Sequence, residues 1–136
     1  MLKRFVDAQE HSYAAALREI RAGRKESHWM WYIFPQLKGL GRSPTAEYYG
    51  ITDLQEAKGY FDHPILGPRL TEISEALLSL DCNNASQIFG WPDDMKLRSC
   101  MTLFAVAAPD EPIFQAVLDK FFGGEKDPRT LALLNL

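Results

Sequence analysis

The hydrophobic positions along this chain recur with the period of an α-helix over nearly its whole length. In the first segment, residues 2–22, Phe5, Tyr13 and Ile20 fall on one arc at about 100° per residue, and charged residues fall opposite. The same period, interrupted at prolines and glycines, predicts five further helical segments. They cover residues 53–62, 68–80, 92–107, 111–122 and 128–136, and a short turn capped by Asn84 is expected through residue 89.

Capping residues mark several of the predicted helix starts. Thr52 and Gln55 have the spacing of a capping box, and Asn84, Asp110 and Asp127 each stand just before a helical segment. No segment shows the two-residue alternation of a strand. The pattern therefore predicts an all-α fold: a compact single-domain bundle of about six to eight helices, with no sheet, over residues 1–136.

Composition excludes several classes of protein. The 136 residues are 46% hydrophobic and 24% charged, as in a globular domain that folds without disulfides or metal. The net charge of −3 argues against binding to nucleic acid, which normally needs a basic excess. Two cysteines and no signal or membrane-spanning segment indicate the cytoplasm. We expect no metal and no cofactor.

Residues 28–36 concentrate aromatic side chains with polar ones. Trp31 stands between His28 and Gln36, and aromatic groups with nearby polar tips are typical of ligand pockets. The alternative is a buried short helix whose indole and phenol groups are satisfied internally. Apolar runs are commoner in cores than in binding sites, so spacing alone favours the alternative.

The glycine turn at residues 39–44 contains Arg42 and leads into a helix start with Ser43 as cap and Pro44 at the first helical position. Free backbone N–H groups beside an arginine suit an anion. The segment lacks the lysine and spacing of a P-loop, so an ordinary turn is the simpler interpretation.

Two polar side chains fall on apolar arcs. Arg69 lies between Ala76 and Leu80 in helical projection, where a cation needs an anionic partner, either an internal carboxylate or a ligand. Gln9 lies in the apolar arc of the first segment, and its amide also needs partners.

The central helix, residues 92–107, is polar on one side near its start and apolar all round towards its end. Its polar side includes Lys96 and Ser99, and Asp94 lies in its first turn. Such a helix either lines a pocket or presents a solvated face. Cys100 falls on the apolar arc, where a structural thiol is the default.

These segments together resemble a small bacterial family of unknown function, family eighteen-ten, whose members are often labelled calpastatin. The resemblance covers nearly the whole chain, and its most specific stretches are His-Trp-Met-Trp at residues 28–31 and Pro-Asp-Asp-x-Lys at residues 92–96. It implies an all-helical, cytosolic single domain with no established activity. Calpastatin is a disordered inhibitor, whereas this composition is that of a packed domain. The family usually has serine in place of Cys100.

A fainter resemblance links residues 45–49 and 56–57 to small helical hydrolases that act on ADP-ribose-linked N-glycosides. With the inward polar arcs, it leads to a first hypothesis: a small-molecule site for an anionic, phosphorylated or nucleotide-like ligand, with or without hydrolase activity. In this hypothesis Asp94 and His28 do acid–base work. The ligand-binding residues are Trp31, Gln36, Arg42, Arg69, Lys96 and Ser99. The second hypothesis is a non-catalytic module for protein interaction or self-association.

Overall fold

Ten α-helices make up the regular structure of residues 2–136, which are the residues that the computed structural model describes. They are α1 (Lys3–Glu10), α2 (Tyr13–Arg21), α3 (Met30–Ile33), α4 (Pro44–Tyr49), α5 (Leu54–Asp62), α6 (Leu66–Leu78), α7 (Ala85–Phe89), α8 (Asp93–Ala107), α9 (Ile113–Phe122) and α10 (Pro128–Leu133). Residues 2–136 contain no strand, and their single isolated β-bridge pairs Leu37 with Ile51. The predicted all-α class is confirmed.

The structure has more helices than the six to eight expected. The first segment is divided: Ser12 leaves the helical conformation, and its hydroxyl bonds the Tyr32 hydroxyl at 2.8 Å. Both halves bury the same apolar arc, with Phe5 in α1 and Ile20 in α2, so the helical period continues across the break and does not reveal it.

Most helix starts follow from local capping chemistry. Asn84 and Asp127 accept backbone N–H bonds in α7 and α10, as predicted. The cap of α5 is Asp53 rather than Thr52: its carboxylate accepts the Glu56 N–H at 2.9 Å. Helix α9 begins at Ile113, later than a cap at Asp110 predicts. These corrections shift boundaries by a few residues and leave the helices themselves in place.

Helix α8 lies at the centre and packs against α5, α7, α9 and α10. Its inward side chains include Leu97, Cys100 and Phe104, which are fully buried. The Phe104 ring lies 5.2 Å from that of Tyr60 and 5.8 Å from that of Phe114, between centroids. Burial raises the pKa of the Cys100 thiol well above its usual value, as expected for a structural cysteine.

A buried carboxylate orders the connection between α2 and α3. Glu19, only 6% exposed, accepts the backbone N–H groups of Glu26 and Ser27 at 2.7 and 2.9 Å and the Trp29 indole N–H at 2.9 Å. Its second oxygen accepts the Ser27 hydroxyl at 2.7 Å. Burial by itself raises the pKa of Glu19, but these hydrogen bonds outweigh it and lower the pKa to about 2. This connection leads directly into α3 and the aromatic segment.

Candidate functional site

A cleft of about 420 Å³ opens where the start of α8 meets the turn after α3 and the start of α10. Its volume falls in the range of small-molecule sites, roughly 300–1,000 Å³. The polar side chains that line it are Gln36, Lys96, Ser99, Asp127 and Arg129. Apolar lining comes from Leu40, Trp91 and Met95. The cleft thus combines two cations and one carboxylate with an aromatic side chain.

One carboxylate at the start of α8 is shared by two lysines. Asp93 lies 3.0 Å from the Lys25 ammonium and 3.4 Å from the Lys96 ammonium. The Lys25 side chain is only 9% exposed and lies over the Trp29 ring, whereas Lys96 lies over the Trp31 ring. Because a single negative charge faces two positive ones, a surplus of positive charge remains beside the cleft.

A smaller cavity of about 10 Å³ lies behind the cleft and shares Gln36 and Lys96 with it. Trp31 lines this cavity, and so does Tyr49. Its volume is at the lower limit for one water molecule. Trp31 therefore stands behind the cleft, with one ring face covered by the Lys96 ammonium at 5.1 Å.

A buried polar cluster fixes α10 against α8. Asp127 is 7% exposed, and one of its oxygens, Oδ2, accepts the Ser99 hydroxyl at 3.0 Å together with the Thr130 N–H and hydroxyl at 3.1 and 2.5 Å. The Asp127 N–H donates to the Thr102 hydroxyl at 2.8 Å. These bonds determine where Arg129 stands at the edge of the cleft.

Comparison with known proteins places the chain in a family. A family model described as "Protein of unknown function (DUF1810)" matches residues 1–134. The chain belongs to the DUF1810 family. It is also similar to the crystal structure of the conserved hypothetical protein Rv1873 from Mycobacterium tuberculosis, with 51% sequence identity and a TM-score of 0.97 over 99% of this chain and 96% of that one. No curated protein matches it.

The family assignment confirms the resemblance found in the sequence, and the DUF1810 description names no activity. No helix among residues 2–136 is both long and apolar enough to cross a membrane. The same residues contain no group of three or more histidine, cysteine or carboxylate side chains arranged to hold a metal ion.

The DUF1810 structure brings four of the eight sequence-predicted site residues together. Gln36, Lys96 and Ser99 line the cleft, and Trp31 lines the small cavity behind it. The hydroxyl of Ser99 donates to Asp127, so Ser99 contributes to the cleft wall mainly by holding that carboxylate. Of these four, Gln36 and Lys96 line both the cleft and the small cavity.

The other four predicted residues line neither cavity. His28 and Arg42 are exposed on connections, and the carboxylate of Asp94 accepts the N–H of the adjacent Met95 at 2.8 Å. Arg69 lies on α6, where its guanidinium donates to the Gln9 amide at 3.5 Å.

The half-buried Arg69 and the buried Gln9 find their partners within the protein. The Arg69 guanidinium also lies 5.1 Å from the centre of the Tyr13 ring. Gln9 donates to the Tyr32 carbonyl at 2.8 Å and to the Tyr60 hydroxyl at 2.9 Å. Within residues 2–136 the partners of Arg69 are an amide and an aromatic ring, rather than the carboxylate or ligand that its projection suggested.

Sequence reasoning missed five residues of the site, namely Lys25, Trp91, Asp93, Asp127 and Arg129. Asp93 carried a usable signal, because its spacing of three from Lys96 allows an ion pair on one helix face. Asp127 was predicted as a helix cap, which it is, but a cap alone gives no sign of a cleft. Nothing in the local sequence places Lys25 or Trp91 beside Lys96.

Proposed function

We propose that this DUF1810 protein binds a small phosphorylated ligand in the cleft lined by Lys96 and Arg129. The carrying observation is the pairing of Asp93 with both Lys25 and Lys96. When Lys96 turns towards an anion, Asp93 keeps its closer partner, Lys25, so this half-buried carboxylate is not left without a cation. Arginine and lysine are the side chains that proteins use for phosphate recognition.

The proposal is for binding and does not include a hydrolytic step. His28 and Asp94, the acid–base candidates from the sequence, do not line the cleft. The carboxylate that does line it, Asp127, holds Ser99 and Thr130 through the same oxygen. We propose a cytoplasmic location as well, supported by the free thiols of Cys82 and Cys100.

Substitution of Lys96 by methionine tests the proposed site. Methionine keeps much of the aliphatic stem and removes the ammonium group that lies over Trp31. We expect ribose 5-phosphate to bind the unsubstituted protein saturably in isothermal titration calorimetry, and Lys96→Met to weaken that binding about tenfold or more, because a hydrogen bond to a charged group contributes about 1.5–3 kcal/mol. Binding is also expected to weaken as the salt concentration rises from about 50 to about 300 mM, because salt screens the attraction between the phosphate and the exposed cations.

The matched control is Lys58→Met, which removes one positive charge from an exposed position on α5 outside the cleft. We expect it to bind ribose 5-phosphate like the unsubstituted protein. Equal affinities of the two variants would contradict the assignment of Lys96, and the absence of saturable heat with ribose 5-phosphate would overturn the proposed function.

One observation favours the second hypothesis, an interaction module. Trp91 and Met95 are both exposed at the cleft edge, and Met95 is 42% exposed. Exposed apolar groups side by side are typical of contact surfaces. We expect light scattering after size exclusion to give a monomer mass at micromolar and submillimolar concentrations. A dimer that Trp91→Ala dissociates would favour self-association over ligand binding.

A further inference from the structure

The indole of Trp91 is unusually exposed for a tryptophan. Its side chain is 80% exposed at the edge of the cleft, while Trp29 is buried. The rings of Trp29 and Trp31 are each covered on one face by a lysine ammonium, at 5.2 and 5.1 Å. Since no ring or cation of residues 2–136 covers Trp91 in this way, its apolar surface faces water, and a planar partner would remove that surface from water.

Backbone hydrogen bonds order the turn that carries this indole. Trp91 lies on the short connection between α7 and α8, where the Gly90 N–H donates to the Ser86 carbonyl at 2.8 Å and the Asp94 N–H donates to the Gly90 carbonyl at 2.9 Å. Gly90 has a φ of +74°, which favours glycine at this turn. The exposure of Trp91 is therefore a property of an ordered turn. Little backbone entropy is lost when a ligand stacks on it.

One ligand in the cleft can contact both this stacking surface and the cations. Trp91, Lys96 and Arg129 line the same volume of about 420 Å³. A planar heterocycle stacks on an indole, whereas a phosphate pairs with an ammonium and a guanidinium. Trp31 is less exposed than Trp91, and the Lys96 ammonium lies over one face of its ring, so Trp91 offers the larger free stacking surface.

We infer that the ligand is a mononucleotide whose base stacks on Trp91 while its phosphate lies between Lys96 and Arg129. This inference rests on the proposed function and adds the base to it. Stacking on an aromatic side chain tolerates all four bases, because every base has a π-face. The recognition of the phosphate is expected to dominate the salt dependence of binding, and the stacking is expected to persist at high salt.

A calorimetric comparison of matched ligands separates the contribution of the base to the binding affinity from that of the phosphate. The probes are the monophosphates of adenosine, guanosine, cytidine and uridine, with ribose 5-phosphate lacking the base and adenosine lacking the phosphate. We expect at least one nucleoside monophosphate to bind about fivefold or more tightly than ribose 5-phosphate, since stacking on an aromatic side chain contributes about 1–3 kcal/mol per base. Adenosine is expected to bind more weakly than its monophosphate.

Trp91→Ala is expected to remove the advantage of the nucleotide and to leave ribose 5-phosphate binding unchanged. Lys96→Met is expected to weaken both. The control is Tyr48→Ala, which removes another exposed aromatic side chain, on α4 and outside the cleft. Because Trp91 is so exposed, we expect Trp91→Ala to keep the thermal midpoint of the unsubstituted protein, so that a lost affinity reports on the cleft rather than on folding.

The outcomes separate the inference from the proposed function. Ribose 5-phosphate and all four nucleotides could bind with equal affinity, and Trp91→Ala could leave each affinity unchanged. In that case the inference of a mononucleotide is wrong and the proposed phosphate site stands. If no phosphorylated probe binds, both are wrong. A single-stranded oligonucleotide that binds more tightly than every mononucleotide, and more weakly to Trp91→Ala, would overturn the mononucleotide in favour of nucleic acid.

Discussion

Replacing Glu19 by alanine is expected to lower the free energy of unfolding by about 3–5 kcal/mol, because the change leaves one buried donor and three part-buried donors without an acceptor. Four donor groups converge on this carboxylate, from Glu26, Ser27 and Trp29. In a domain of this size the loss corresponds to roughly 10 °C or more in the thermal midpoint. Denaturant unfolding measures the loss directly.

Glu19→Gln separates the charge from the shape of the side chain. Glutamine keeps one acceptor oxygen for the N–H groups but loses the negative charge, so we expect a smaller destabilisation, about 1–2 kcal/mol. The control is Glu75→Ala at an exposed position of α6, which is expected to stay within about 0.5 kcal/mol of the unsubstituted protein. A loss at Glu19 no larger than that at Glu75 would contradict the structural role of the carboxylate.

The pH dependence of this effect has a definite sign. Since the pKa of Glu19 is lowered from its usual value of 4.5 to about 2 in the folded protein, the stability that it contributes is fully present above about pH 5. This stability is lost progressively as the pH falls from 4.5 towards about 2. The difference in stability between the unsubstituted protein and Glu19→Gln should therefore shrink from pH 5 to pH 2.

Gly67→Ala is expected to destabilise the protein by about 3 kcal/mol or more, because the added methyl group meets backbone rather than a flexible side chain. A Cβ atom at Gly67 would lie 1.9 Å from the Phe61 carbonyl oxygen and 2.9 Å from its carbonyl carbon. Helices α5 and α6 would have to move apart. The expected measurement is a fall in the midpoint of denaturant unfolding, with an unchanged slope if the helices re-pack.

Gly59→Ala is the matched control, since Gly59 also lies in a helix of the same pair. A Cβ atom there would meet only the Leu2 side chain, at an ordinary contact distance of 3.9 Å. Alanine has the higher helix propensity, so we expect this variant to be more stable by up to about 1 kcal/mol. The two glycine substitutions should thus act in opposite directions. Destabilisation of equal size at both positions would contradict the close approach at Gly67.

The helices were predictable because their signals are local. Asn84 and Asp127 cap helices by accepting hydrogen bonds from N–H groups two or three residues further along the chain. Such bonds depend only on the local sequence, so they can be predicted from it. The break between α1 and α2 was not predictable, since the apolar arc continues across it and Ser12 finds its partner in Tyr32, twenty residues away.

The candidate site was predictable only in part, and for the same reason. The helical projection placed Lys96 and Ser99 on the polar side of α8, which is the side that faces the cleft. The sequence pointed to Asp94, whereas the carboxylate that meets both lysines is that of Asp93. They differ in what surrounds them: Asp93 meets Lys25, which comes from the connection after α2, and Asp94 bonds its own helix start.

By itself the sequence determined the all-α class and most of the helix positions, because periodicity and capping act over a few residues. The tertiary structure alone decided which polar groups meet. It paired Arg69 with Gln9, shared Asp93 between two lysines and left Trp91 exposed beside them. Such contacts join segments far apart in the chain, so they depend on how the helices pack. A function that rests on a cleft is therefore decided at the level of packing.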